Sequence, residues 1–210
     1  MQTKETTLQS GDSRLGIFLD ADGVLWPDVG PGGILQGLPE ARRRLLSITQ
    51  ILGRREDLFI GVVSNQTLAA RALVPYEEFS AKVFTGFCSL QKDSLIDDFR
   101  VCFHHPKANY LPLRIENCVC RKPRPGMIND LMQSHALLPN HCLILGDRIT
   151  DVLAGRRAKL NEAILLLGPR MFELNLGAQS HDWERLIQFK IARDFSDFLE
   201  ILNWWIKNDK

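Results

Sequence analysis

The chain has 210 residues, long enough for a sizeable core without covalent staples, and is most simply one domain. Its 26 basic and 25 acidic residues leave a formal charge of +1, which excludes a molecule-wide basic field for nucleic acid or anionic membrane. No apolar run reaches the length of a membrane span, the first sixteen residues are polar with mixed charge, unlike a secretory signal, and the five cysteines are an odd count that suits a reducing compartment. A cytoplasmic protein with no nucleic-acid or membrane partner is expected.

Residues 1–14 carry no periodicity and read as a flexible tail, with a single domain over 15–210. Next comes Ile17-Phe18-Leu19-Asp20-Ala21-Asp22-Gly23-Val24, where strand formers run into two carboxylates one residue apart and a glycine permits a sharp turn. A buried parallel strand ending this way delivers both acids to the carboxyl edge of the sheet, where open α/β folds bind ligands. Acids so close call for a cation, or for one ionised and one protonated partner, and phosphoryl transfer through an aspartyl-phosphate meets both needs. Taken alone, the tetrapeptide also fits a solvated turn. The loop Trp26-Pro27-Asp28-Val29-Gly30-Pro31-Gly32-Gly33 lies over that strand end, either touching substrate or serving as a connector with Trp26 packed beneath it.

Residues 38–52 have apolar side chains at helical spacing, with Pro39 and Glu40 in the first turn, and predict a crossover helix. Leu58-Phe59-Ile60-Gly61-Val62-Val63 predicts a second buried strand, ending in Ser64-Asn65-Gln66-Thr67 before an alanine-rich stretch read as helix. A hydroxyl and amides beside a helix N-terminus can hold phosphate oxygens, although Ser64 also suits a helix cap. A shorter third strand, Asp98-Phe99-Arg100-Val101-Cys102-Phe103, leads into His104-His105-Pro106, and a helix opens near Gly126-Met127 and runs to about His135. A fourth strand, Cys142-Leu143-Ile144-Leu145, is followed by Gly146-Asp147-Arg148-Ile149-Thr150-Asp151 and a helix, and a fifth is Ala163-Ile164-Leu165-Leu166-Leu167-Gly168. Strands alternating with helices predict an α/β fold with a mostly parallel sheet covered on both faces. Over 195–206, Phe195, Phe198, Leu199, Ile201, Leu202, Trp205 and Ile206 fall close to one helical stripe, expected to pack on the core.

Two constellations carry chemistry. Cys102 and His104, then Cys118 and Cys120 across a loop, are thiolate and imidazole donors in two short pairs, which suits tetrahedral Zn²⁺ in a closed structural site. The loop has little apolar content, and metal binding would order it. His105 competes with His104, which is preferred because a continuing strand keeps its side chain on the side of Cys102. The other group is Asp20, Asp22, Ser64, Asn65, Lys122 and Asp147. Of the first two acids, one attacks phosphorus while the other protonates the leaving oxygen and then deprotonates water. Mg²⁺ on Asp20, Asp147 and a backbone carbonyl would offset the repulsion between carboxylate and phosphate. Lys122 and Ser64 would grip the remaining oxygens, Arg121 would reach the rest of the substrate, and Asp151 would support the metal or a lysine from one turn beyond Asp147.

Asp20-Ala21-Asp22-Gly23-Val24, Ser64-Asn65, Lys122 and Gly146-Asp147-Arg148-Ile149-Thr150-Asp151 together resemble the four motifs of haloacid-dehalogenase (HAD) phosphatases. Val63-Ser64-Asn65-Gln66, Cys102-Phe103-His104-His105-Pro106 and Cys118-Val119-Cys120-Arg121-Lys122-Pro123-Arg124-Pro125-Gly126-Met127 resemble the branch containing heptose 1,7-bisphosphate 7-phosphatase and histidinol-phosphate phosphatase. The resemblance spans about residues 16–168. It implies a Rossmann-like parallel sheet with helices on both faces, no large cap domain, and a zinc-bound loop at about 102–120. It also implies Asp20 as nucleophile, Asp22 as general acid/base, and Mg²⁺ on Asp20, the Asp22 carbonyl and Asp147. Ser64, Asn65 and Lys122 would bind the phosphoryl group, Arg121 would recognise substrate, Asp151 would act from behind, and Zn²⁺ would take Cys102, His104, Cys118 and Cys120. The implied activity is Mg²⁺-dependent hydrolysis of a small phosphorylated metabolite, a sugar phosphate such as heptose bisphosphate before histidinol phosphate, by a monomer or small homo-oligomer. A non-catalytic phospholigand- or partner-binding relative is the competing class. Ala21, Val24 and Arg148 stand where the branch has arginine, threonine and lysine, and the loop from Trp26 departs from its polar substrate loop.

Overall fold

Strand β1 (Leu15–Leu19) is buried along its whole length because it has strands on both sides and helices on both faces. The computed structural model describes residues 14–27, 33–53, 57–167 and 190–208. After β1 come helix α1 (Gly33–Leu52), β2 (Leu58–Asn65), α2 (Tyr76–Lys92), β3 (Asp98–Cys102) and α3 (Gly126–Ser134). The chain continues through β4 (Cys142–Gly146), α4 (Ile149–Arg157), β5 (Glu162–Leu166), β6 (Lys190–Ala192) and α5 (Phe195–Asn208). The six strands form one sheet in the order β3-β2-β1-β4-β5-β6, every pair parallel. The fold is the α/β arrangement that the alternation of elements predicts.

Side-chain alternation divides the core. Ile17 and Leu19 join Ile60, Val62, Leu143 and Leu145 beneath α1, α2 and α5, while Phe18 faces the other way with Phe59, Ile144 and the α3 residues Ile128 and Leu131. Arg44 of α1 lies over the Phe195 ring of α5 at 4.9 Å and donates to the Val24 carbonyl, fastening the helix layer to the turn that follows β1.

The structure corrects two readings and adds one strand. Helix α1 begins at Gly33 and carries Pro39 in its interior, because the buried stripe of Ala41, Leu45, Ile48 and Leu52 continues upstream to Ile34, and burying that residue outweighs the hydrogen bond that proline withholds. No helix follows Thr67. Residues 68–72 make one turn, closed by Ala72 in the left-handed region at φ 57°, and the Ala70 carbonyl is taken by the backbone N–H groups of Asn109 (2.8 Å) and Tyr110 (3.2 Å). The helix on this connection is α2, with Glu77 and Glu78 in its first turn and Phe79, Val83, Phe87 and Leu90 buried. Strand β6 is a further addition at the sheet edge. The tail over 1–13, the loop over 28–32 and Gly168 of the expected fifth strand lie outside the described residues.

Among the described residues no helix is long and apolar enough to cross a membrane. On α5, Phe198, Leu202 and Trp205 are buried. Phe198→Ala is expected to lower unfolding stability by about 3–5 kcal/mol, measured by urea denaturation, because the cavity adds to the lost transfer energy.

Candidate active site

From β1 the chain steps outward to β2 and β3, then returns to build β4, β5 and β6 on the other side. The crevice between the carboxyl ends of β1 and β4 is therefore the switch point of the sheet, the usual ligand position in open α/β folds. Asp20 follows β1 directly and Asp147 follows β4. Gly23 turns the chain back at φ +86°, and a side chain there would run into the Asp147 carboxylate.

Lys122 enters this crevice from the segment before α3. Its Nζ lies 2.7 Å from Asp20 Oδ1 and 2.7 Å from Asp151 Oδ1, and donates to the Val63 carbonyl at 2.7 Å, so the three ammonium protons have three acceptors. Burial works against the ammonium charge, but Asp151 and Asp20 hold the Lys122 pKa above its ordinary value. Asn65 pins the Lys122 backbone from both sides, donating to its carbonyl and accepting from its N–H, each at 3.1 Å. Asp151 also accepts from the Arg148 N–H at 3.0 Å, which caps α4.

The carboxylates of Asp20, Asp147 and Asp151 bring oxygens within 4.8 Å of one another around that single lysine. Burial, then the charges of Asp20 and Asp151, push the Asp147 carboxyl from 3.8 up to about 7. Burial and the Asp20 charge raise Asp151 to about 6 despite the pull of Lys122. Among the described residues Asp147 Oδ1 is buried without a hydrogen-bond partner, and Arg148 Nε lies 4.0 Å from it. An orphaned hard oxygen beside two further carboxylates fits a hard divalent cation such as Mg²⁺.

Asp22 is held differently. Its Oδ1 accepts from Trp26 Nε1 and its Oδ2 from Gln66 Nε2, both at 2.8 Å, and the Gln66 amide also reaches Ser64 Oγ at 2.9 Å. The sequence reading had singled out neither Trp26 nor Gln66 as a partner of Asp22. Gln66 stands in the Val63-Ser64-Asn65-Gln66 motif, whereas Trp26 reaches Asp22 across the Gly23 turn and the β-bridge between the two residues, for which spacing offers no signal.

The structure also brings Cys102, His104, Cys118 and Cys120 together at the carboxyl end of β3. His104 Nδ1 lies 3.7, 3.2 and 3.5 Å from the sulfurs of Cys102, Cys118 and Cys120, while Cys118 Sγ is 3.7 Å from Cys102 Sγ and 3.0 Å from Cys120 Sγ. His105 turns aside and accepts from the Lys107 N–H at 3.1 Å. Hydrogen bonding from Cys102 holds the Cys120 thiol down to about 5, while the Cys102 thiol is pushed up. Four soft and borderline donors at these separations fit Zn²⁺. Arg121, half-buried beside this cluster, donates to the His104 carbonyl at 3.1 Å; desolvation and the neighbouring Arg71 and Arg148 work against its charge.

Residues 119–170 match the family model described as "HAD-hyrolase-like". A D-glycero-beta-D-manno-heptose-1,7-bisphosphate 7-phosphatase of Pasteurella multocida is 30% identical over 162 residues, covering 73% of this chain and 82% of that protein. The chain belongs to the HAD-like phosphatases. A second HAD-like relative, the enzyme of the same name from Helicobacter pylori, is 27% identical over 88% of this chain and 96% of its own length. The fold of this HAD-like phosphatase also matches the structure of D,D-heptose 1.7-bisphosphate phosphatase from B. bronchiseptica, with a TM-score of 0.63 at 22% identity over 90% of this chain and 97% of that one.

The raised carboxyls give this HAD-like phosphatase a pH dependence of definite sign. A carboxyl whose pKa is higher folded than unfolded binds more protons in the native state, so stability falls as pH rises through that interval. Asp147, raised to about 7, and Asp151, raised to about 6, set the window between the ordinary carboxylate range and neutrality. Metal-free protein should show a falling Tm from about pH 5 to about pH 7.5. Added Mg²⁺ should raise Tm most at the upper end of that range, as scanning calorimetry at several pH values would record.

Proposed function

We propose that this HAD-like phosphatase is a Mg²⁺-dependent phosphomonoesterase that hydrolyses a small sugar phosphate, with heptose bisphosphate the first substrate to test. The observation that carries the reading is the unequal treatment of the two acids that leave β1: Asp20 faces a buried ammonium at 2.7 Å, while Asp22 is held by the neutral indole of Trp26 and amide of Gln66. One carboxylate is thus set beside fixed positive charge that also suits a phosphoryl group, and the other accepts from an indole and an amide, a setting suited to proton transfer.

In this reading an Asp20 oxygen attacks phosphorus, the bond to the leaving oxygen breaks, and Asp22 gives that oxygen a proton. Asp22 then takes a proton from the water that opens the aspartyl-phosphate. Lys122, turning one proton from Asp20 to the phosphoryl group, and Ser64 bind the phosphoryl oxygens, with Asn65 keeping the Lys122 backbone in place. Arg121 recognises the rest of the substrate. Asp20, Asp147 and the Asp22 carbonyl would hold Mg²⁺, which when bound supplies positive charge against the phosphoryl oxygens. Zn²⁺ on Cys102, His104, Cys118 and Cys120 would fix the loop over 102–120, which shapes the pocket of a single-domain enzyme. Two findings support the reading: the relatives named as heptose-bisphosphate phosphatases, and a B. bronchiseptica enzyme complexed with magnesium and phosphate.

Phosphate release across a panel of sugar phosphates, heptose bisphosphate and histidinol phosphate tests it. Turnover of a sugar phosphate that requires Mg²⁺ and disappears in Asp20→Asn, with the circular dichroism spectrum unchanged, is the expected result. Full activity in Asp20→Asn would remove the nucleophile assignment. Cys118→Ser is expected to bind less zinc and to melt earlier; unchanged metal stoichiometry would remove the ligand set.

A further inference from the structure

Trp26 stands on the loop that departs from the polar pattern of the heptose-bisphosphate branch, and it is completely buried. Its ring stacks on Phe87 of α2 at 5.7 Å between centroids and 30° between planes. On its other side α1 presents Gly37, where a Cβ would lie 2.5 Å from Trp26 Cβ. Its carbonyl accepts from the Gly23 N–H at 2.7 Å, and Asp22 and Trp26 form a β-bridge. Ring, backbone and surroundings are all fixed, so the aim of the one polar atom of the indole is fixed with them. That atom can only donate, and it meets Asp22 Oδ1 at 2.8 Å while Gln66 meets Oδ2 at the same distance.

We infer that Trp26 is a positioning residue for the hydrolysis, its buried indole N–H fixing the rotation of the Asp22 carboxyl so that the proton of Asp22 is aimed at the leaving oxygen. This inference rests on the reading of Asp22 as the acid. As an Asp20 oxygen supplies the electron pair of the new bond to phosphorus, the pair of the breaking bond goes to the leaving oxygen. The proton passes from Asp22 to that oxygen, and the resulting carboxylate still accepts from Trp26 and Gln66. With the Trp26 donor removed, Oδ1 loses its indole anchor and the carboxyl is held less closely to one rotation, and a small misplacement of a general acid is enough to slow the transfer.

Leaving-group dependence separates this role from packing. In a two-step hydrolysis kcat/KM reports events up to departure of the alcohol, and a nitrophenolate leaves without needing a proton, whereas an alkoxide does not. Trp26→Phe keeps a ring against Phe87 and deletes the donor. Its kcat/KM is expected to fall about tenfold for an alkyl phosphate and to stay within about twofold of wild type for 4-nitrophenyl phosphate. Trp26→benzothienylalanine, in which sulfur replaces the N–H within the same outline, should give the same split even if the phenylalanine variant folds poorly. Equal losses on both substrates, or no loss on either, overturn the inference. Asp22→Asn is the control, expected to discriminate more strongly in the same direction. If it does not discriminate, the reading of Asp22 as the acid falls and the inference with it. If it does while the Trp26 variants do not, the inference alone falls.

Discussion

A buried ammonium holds the carboxyl edge of this sheet together. Lys122 contacts Asp20 after β1, the Val63 carbonyl of β2 and Asp151 on α4, so one side chain ties three separate stretches of chain into one electrostatic unit. Isolated buried carboxylates are expensive, and removing one partner of a buried pair leaves an uncompensated charge. The bonds around Lys122 make sense in that light: Asn65 fixes its backbone, and Asp151 is itself fixed by the cap of α4. The balance remains incomplete at Asp147, whose unpartnered oxygen is the place where a cation does most to relieve the site.

Much of this was legible in the sequence because the chemistry is written in short contiguous runs. Asp20 and Asp22 sit on a strand end, and Cys102, His104, Cys118 and Cys120 come in two pairs whose spacing survives any reasonable loop path. The strands β1, β2 and β4 were visible as continuous apolar runs because both faces are covered. Where local propensity and tertiary demand disagree, the reading failed. The alanines after Thr67 favour a helix, but the loop over 102–120 takes the Ala70 carbonyl and the chain turns away. Strand β6 has three residues and one buried side chain, too little for any period to show. Helix α2 did carry a readable stripe of Phe79, Val83, Phe87 and Leu90.

The surroundings of Asp22 were hidden for another reason. The Gln66 hydrogen bond joins residues from the ends of two neighbouring strands, which the pairing of β1 with β2 brings side by side, and the Trp26 bond needs the turn at Gly23 that folds the chain back until Trp26 bridges to Asp22. Residue type gave each of them a plausible local role, packing for the indole and motif membership for the amide. Their common target appears once the register is fixed.

That pairing pattern also governs how the molecule emerges from the ribosome. The edge of β1 opposite β2 pairs with β4, Gly16 lying opposite Cys142, so this edge of a fully apolar strand stays unsatisfied until the later half of the polypeptide has been synthesised. During that interval Asp20 has neither Lys122 nor Asp151 beside it. A half-sheet that lacks β4 is therefore both adhesive along one strand and uncompensated at its acid, the two properties that favour association with another chain.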